Sequence, residues 1–135
     1  MDEITRKIQL KELEILKHVD HTLLKPIATW EDIQKICDES IEYNTASICI
    51  PSCYISRINE KYGDKVNICT VVGFPLGYST TEAKVLEAKQ AIENGANEID
   101  MVINISDVKN GDYDKVTAEI KALKEAVGDK ILKVI

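Results

Sequence analysis

Short β-branched runs alternate with longer segments of helical periodicity along this chain, and that alternation limits the fold more than any other feature. Strand candidates occupy residues 46–50, 66–72, 98–104 and 130–135, and the last three begin about 32 residues apart, the length of one βα unit. A helix candidate covers 3–18. Four more fill the gaps at 30–43, 52–62, 80–94 and 112–127, each with apolar residues at helical spacing. In 30–43, Ile33, Ile36, Cys37 and Ile41 share a face, Thr29 and Asp32 are spaced as a capping box, and Asn44 is a left-handed stop. In 80–94, Val85, Ala88 and Ile92 point inward and Lys84, Glu87 and Gln90 outward, with Ser79 and Glu82 as a second capping box and Gly95 closing the helix. Gly63 and Gly128 end the other two.

Strands separated by single helices are βαβ units, so the strands pair in parallel with right-handed crossovers. A doubly wound open sheet usually carries a glycine-rich phosphate turn after its first strand, whereas Pro51-Ser52-Cys53 follows the first β-branched run here. A closed (β/α)₈ barrel takes about 250 residues. Four units in 135 residues are close to half of one, so the expected class is α/β, a TIM-barrel type present as roughly its first half, one domain over 1–135. The terminal strand candidate has no helix after it, which leaves an apolar edge of the kind natural proteins avoid.

Composition narrows the partners. Hydrophobic residues make up 44% and charged ones 30%, enough for a core, and 3 Pro with 6 Gly exclude a disordered or collagen-like chain. The net charge of −6 and 5% aromatics give no footprint for nucleic acid. With no long apolar run and a charged start at Met1-Asp2-Glu3, neither a membrane span nor a secretory signal is expected. Cys37, Cys49, Cys53 and Cys69 lie in apolar segments, which fits a reduced, cytoplasmic chain without disulfides. The pairs Cys49/Cys53 and His18/His21 do not make the matched ligand pairs of a zinc site, so no metal is expected.

Two polar residues disturb the strand pattern. In 98–104, Ile99, Met101 and Ile103 form one face, leaving Asp100 with Val102 and Asn104 on the other. A carboxylate inside such a strand costs several kcal/mol of desolvation unless it is paired or functional, so Asp100 is either an ion-pair member or a catalytic group. Lys133 falls on the face of the last strand that can reach the same interior, although a lysine snorkelling from a strand end is the simpler reading. The Gly73-Phe74-Pro75-Leu76-Gly77 turn sits where a barrel places active-site loops, and 20–26 reads as a loop holding a carboxylate, a hydroxyl and a lysine.

The wording of these segments is more specific than their pattern. VDHTLLKP at 19–26, ASICIPSCYI at 46–55, CTVVGFPLG at 69–77, the run 81–88, AIENGANEIDMVINI at 91–105 and LKVI at 132–135 strongly resemble the deoxyribose-phosphate aldolase family, in register from about residue 13 onward. The resemblance implies a (β/α)₈ enzyme, without metal or cofactor, that reversibly cleaves 2-deoxy-D-ribose 5-phosphate to acetaldehyde and D-glyceraldehyde 3-phosphate through a lysine Schiff base. Its partners would be small phosphorylated sugars and aldehydes. Asp100 matches the family's proton-relay aspartate. Asp20, Cys49 and Lys133 match pocket positions, with Asp20 and Lys133 in the charge network, and Thr22 and Thr70 are further lining positions. The family's Schiff-base motif, Lys-Thr-Ser-Thr-Gly on the sixth strand, is absent, as are a second lysine on the seventh and the phosphate loops. The chain is read as stopping at the end of the fourth strand. An alternative is an inactive half-barrel that binds or self-assembles, two copies pairing their strand edges as a homodimer. A third is that Lys133 takes over imine formation within such a dimer.

Overall fold

A computed structural model describes residues 2–135. The chain runs α1 (Glu3–Leu16), β1 (Asp20–Thr22), α2 (Trp30–Tyr43), β2 (Ser47–Cys49), α3 (Ile55–Tyr62), β3 (Ile68–Val72), α4 (Thr81–Glu93), β4 (Glu98–Met101), α5 (Ile105–Asn110), α6 (Tyr113–Val127) and β5 (Ile131–Val134). Its five strands pair in parallel in the order β1-β2-β3-β4-β5. An unbroken sequential order of parallel strands with helical crossovers is a sector of a (β/α)₈ barrel.

The sheet is curled. In a flat sheet, β1 and β5 would lie about 19 Å apart, four strand spacings. Yet Lys133 Nζ on β5 is 2.6 Å from Asp20 Oδ2 on β1. Residues at the two outer strands meet across a concave face, as they do in a barrel interior.

Helices cover the convex face, where Ile48, Ile50, Ile68, Ile99 and Met101 of the sheet pack with Ile33, Cys37, Ile55, Ile58 and Leu123 of the helices. Each sheet residue named here lies one position from a residue of the concave side, as period two requires. α2 starts on the expected capping box of Thr29 and Asp32 and stops at Asn44, whose φ of 51° is left-handed. After β3, the turn 73–77 is held against the end of β4. Gly77 has φ 73°, and a Cβ there would overlap the carbonyl oxygen of Ile103, so the turn needs glycine.

Several expectations need correcting. Residues 20–22 form a strand, so there are five strands and the segment 131–134 is the fifth. Residues 52–54 form a 3₁₀ turn before α3, and α5 is a short helix set before α6 and capped by Asn104. α4 is capped by Thr80 rather than Ser79. Lys84 does not point outward: it is fully buried and donates to Glu119 Oε1 at 2.7 Å and to the Val102 carbonyl at 2.9 Å, tying α4 to α6 and to the end of β4. Ile41 is largely exposed, and α1 buries no side chain. Among the described residues, no helix is long and apolar enough to cross a membrane.

Candidate active site on the concave face

Strand register decides which side chains meet. Asp20 pairs with Ser47, Cys49 with Cys69, and Asp100 with Lys133. Registered partners in a parallel sheet point to the same side, so β1 to β5 each send a polar or sulfur-bearing group into the concavity.

Lys133 stands at the centre. Its ammonium lies 2.6 Å from Asp20, 3.0 Å from Glu98, 3.0 Å from Asp100 Oδ1 and 3.7 Å from Cys69 Sγ. An ammonium has three N–H bonds, and here four acceptors surround it. Asp100 Oδ1 is buried, at ion-pair distance from Nζ, and has no hydrogen-bond partner among the described residues. A buried carboxylate oxygen with an open lone pair is poised to hold a water or a reacting hydroxyl.

Around this centre the other groups are fixed. Ser47 Oγ donates to Asp20 Oδ1 at 2.7 Å, and the Asn67 amide donates to both Glu98 and the Ala46 carbonyl. Burial pushes the Asp20 carboxyl up, but the bonds from Lys133 and Ser47 together outweigh it and hold it below the ordinary aspartate value. For Lys133, burial works against the charged form, and the three carboxylates win, raising its pKa above that of a free lysine. This lysine therefore carries its proton at neutral pH. A protonated amine has no free lone pair for attack on a carbonyl. Cys49 lies below the ordinary cysteine value because Cys69 bonds to it, and Cys69 is pushed above that value by the same contact.

Cys49, Cys69 and Asp100 have potential ligand atoms within 4.8 Å of one another. The Lys133 ammonium already rests against Asp100 and Cys69 from the same side, and its fixed positive charge opposes a second cation there.

Of the residues singled out from sequence, Asp100, Asp20, Cys49 and Lys133 are brought together. Thr22 is on the concave side of β1, but it is exposed and its hydroxyl donates back to the Asp20 carbonyl at 2.7 Å. Thr70 is not brought to the site. It neighbours Cys69 and so faces the helices, fully buried, with its hydroxyl on the Ile50 carbonyl at 2.8 Å. Sequence reasoning missed Ser47, Asn67 and Glu98. Their signal was parity: Glu98 stands two before Asp100, Ser47 two before Cys49 and Asn67 two before Cys69. A surface cavity of 320 Å³ between the 23–28 segment and α2 holds none of these groups.

Over 126 residues the chain is 80% identical to a deoxyribose-phosphate aldolase of Clostridium botulinum, covering 93% of this chain and 57% of that protein. Among solved structures, an aldolase called QR15 superposes with TM-score 0.84 at 32% identity over 90% of this chain and 54% of its own. The tetrameric deoxyribose phosphate aldolase of Aeropyrum pernix superposes with TM-score 0.77 at 31% identity over 90% and 52%. The chain thus spans about half the length of the relatives it matches. The profile of the DeoC/LacD aldolases matches residues 14–135, nearly the whole chain, and the chain belongs to that family.

Proposed function

We propose that the concave face is the proton-handling half of a class I aldolase site that reversibly cleaves 2-deoxy-D-ribose 5-phosphate to acetaldehyde and D-glyceraldehyde 3-phosphate. The observation that carries this reading is the buried Asp100 Oδ1, without a hydrogen-bond partner among the described residues, 3.0 Å from the Lys133 ammonium. Similarity to a deoxyribose-phosphate aldolase over the segment that holds all these residues supports the substrate.

In this reading a neutral amine from outside these residues forms the imine, because Lys133 is held protonated. Asp100, through a water on its free lone pair, moves the proton between the reacting hydroxyl and carbon. Lys133 sets a positive charge 3.0 Å from Asp100 Oδ1. Asp20 and Glu98 anchor the ammonium, and Ser47 and Asn67 hold those two carboxylates in place. Cys49 lines the pocket beside them. The partners are small phosphorylated sugars and aldehydes, and a cytoplasmic setting suits both such metabolites and four free cysteines.

The test joins this chain to the remaining part of the Clostridium botulinum relative and measures acetaldehyde release from 2-deoxyribose 5-phosphate. Asp100→Asn is expected to lower turnover by about a hundredfold or more while circular dichroism is unchanged. Unaltered turnover removes Asp100 from the proton relay.

A further inference from the structure

Two of the four cysteines share one position in the sheet. Cys49 on β2 and Cys69 on β3 are directly registered partners. Such partners have Cα atoms about 4.8 Å apart, inside the roughly 4.4–6.8 Å that a disulfide spans. Both side chains leave the sheet on the concave side, and their sulfurs lie within 4.8 Å of each other. The spacing and the shared side of the sheet are those a bridge requires.

The pair is also chemically unequal. Cys49 has the lowered pKa, chiefly through the bond from Cys69 and further through the Lys133 charge, so it forms the thiolate more readily. Cys69 keeps its proton. An attacking sulfur beside a resolving one is the arrangement of a redox-sensing pair. The other cysteines lack this setting. Cys37 is sealed in the helix-side core, where burial raises it to about 11, and Cys53 is exposed on the 3₁₀ turn. Cys49 and Cys69 are themselves almost fully covered, so the oxidant that suits them is one little larger than water.

We propose that Cys49 and Cys69 form a reversible thiol–disulfide switch on the concave face, closed by a small peroxide. The Cys49 thiolate attacks one peroxide oxygen and the O–O bond breaks. Cys49 becomes a sulfenic acid, and the departing alkoxide or hydroxide takes up a proton and leaves as alcohol or water. The Cys69 sulfur then attacks the Cys49 sulfur: an S–S bond forms, the S–O bond breaks, and the hydroxide leaves as water with the Cys69 proton. Two electrons pass from the two sulfurs to the peroxide, and a dithiol reverses the change. Closure pulls Cys69 Sγ from its place 3.7 Å from Lys133. This inference rests on register and sulfur chemistry and is independent of the aldolase reading.

The full chain carrying Cys53→Ser is treated with hydrogen peroxide, quenched with a maleimide in denaturant, and weighed. The chain is expected to carry one maleimide and, that addition apart, to weigh about 2 Da less than the untreated chain, with two of the three remaining thiols protected and all three open to the maleimide when dithiothreitol precedes it. Fragmentation of the linked tryptic peptides 36–57 and 66–84 should put the bridge between Cys49 and Cys69 without any further variant, and Cys49→Ser or Cys69→Ser should abolish it. A gain of oxygen without a bridge, a bridge to Cys37, or three thiols unchanged overturns the proposal.

Discussion

Replacing Lys133 by methionine keeps most of the stem and removes the cation that faces Asp20, Glu98 and Asp100. Breaking a buried ion pair by deleting one partner costs about 3–5 kcal/mol. Lys133 and Asp20 each keep about a third of their side-chain surface in solvent, which screens part of that loss, so about 2 kcal/mol is expected at pH 7. With a urea slope of about 1–3 kcal/mol per molar, the unfolding midpoint should fall by about 1 M. The pH dependence fixes the cause. Lys133 has a raised folded pKa, so its contribution is complete below the unfolded value of about 10.4 and fades only above it. Asp20 has a lowered one, so its contribution is complete above about 3.9 and fades as pH falls through the folded value. The Asp20–Lys133 pair is thus intact between about pH 4 and pH 10. In Lys133→Met, Asp20 loses the cation and the bond that hold its pKa down, so it takes up its proton at higher pH than in the parent. Urea titrations of both chains at pH 7 and pH 5 should therefore show a deficit that shrinks on acidification. Equal midpoints at pH 7, or a deficit unchanged at pH 5, would refute the electrostatic account.

Two further outcomes test the frame that carries the site. Lys84→Met leaves the buried Glu119 carboxylate and the Val102 carbonyl without their partner and should cost about 3–5 kcal/mol, most of it recovered in the Lys84→Met/Glu119→Leu double variant by urea titration. Thr70→Val removes the hydroxyl bonded to Ile50 and should cost about 1 kcal/mol, while the turnover of the joined protein described above stays unchanged because Thr70 faces the helices.

Much of this was legible before any coordinates. Strand parity put Asp100 and Lys133 on faces that can share one interior, and the β4–β5 register brings them within 3.0 Å. Parity also separates Cys69 from Thr70, but only once the register with Cys49 is known, and register is a tertiary fact. β1 was hidden because Asp20-His21-Thr22 is three residues with no apolar alternation. It is a strand only through its pairing with β2. Lys84 failed for a different reason: helical spacing gives the direction of a side chain, whereas its neutralising partner Glu119 lies 35 positions away on another helix. The central role of Lys133 was underestimated in the same way, since Asp20 is 113 positions distant and reaches it only because the sheet curls.

The most direct test of the central claim is to incubate the full chain, and the same chain joined to the rest of the Clostridium botulinum relative, with acetaldehyde and borohydride, and to weigh the products. The account predicts no adduct mapped to Lys133 in either protein, because Lys133 is held as an ammonium, and a reduced imine at a site lysine outside residues 1–135 on the joined protein. An adduct mapped to Lys133 in either protein would contradict it.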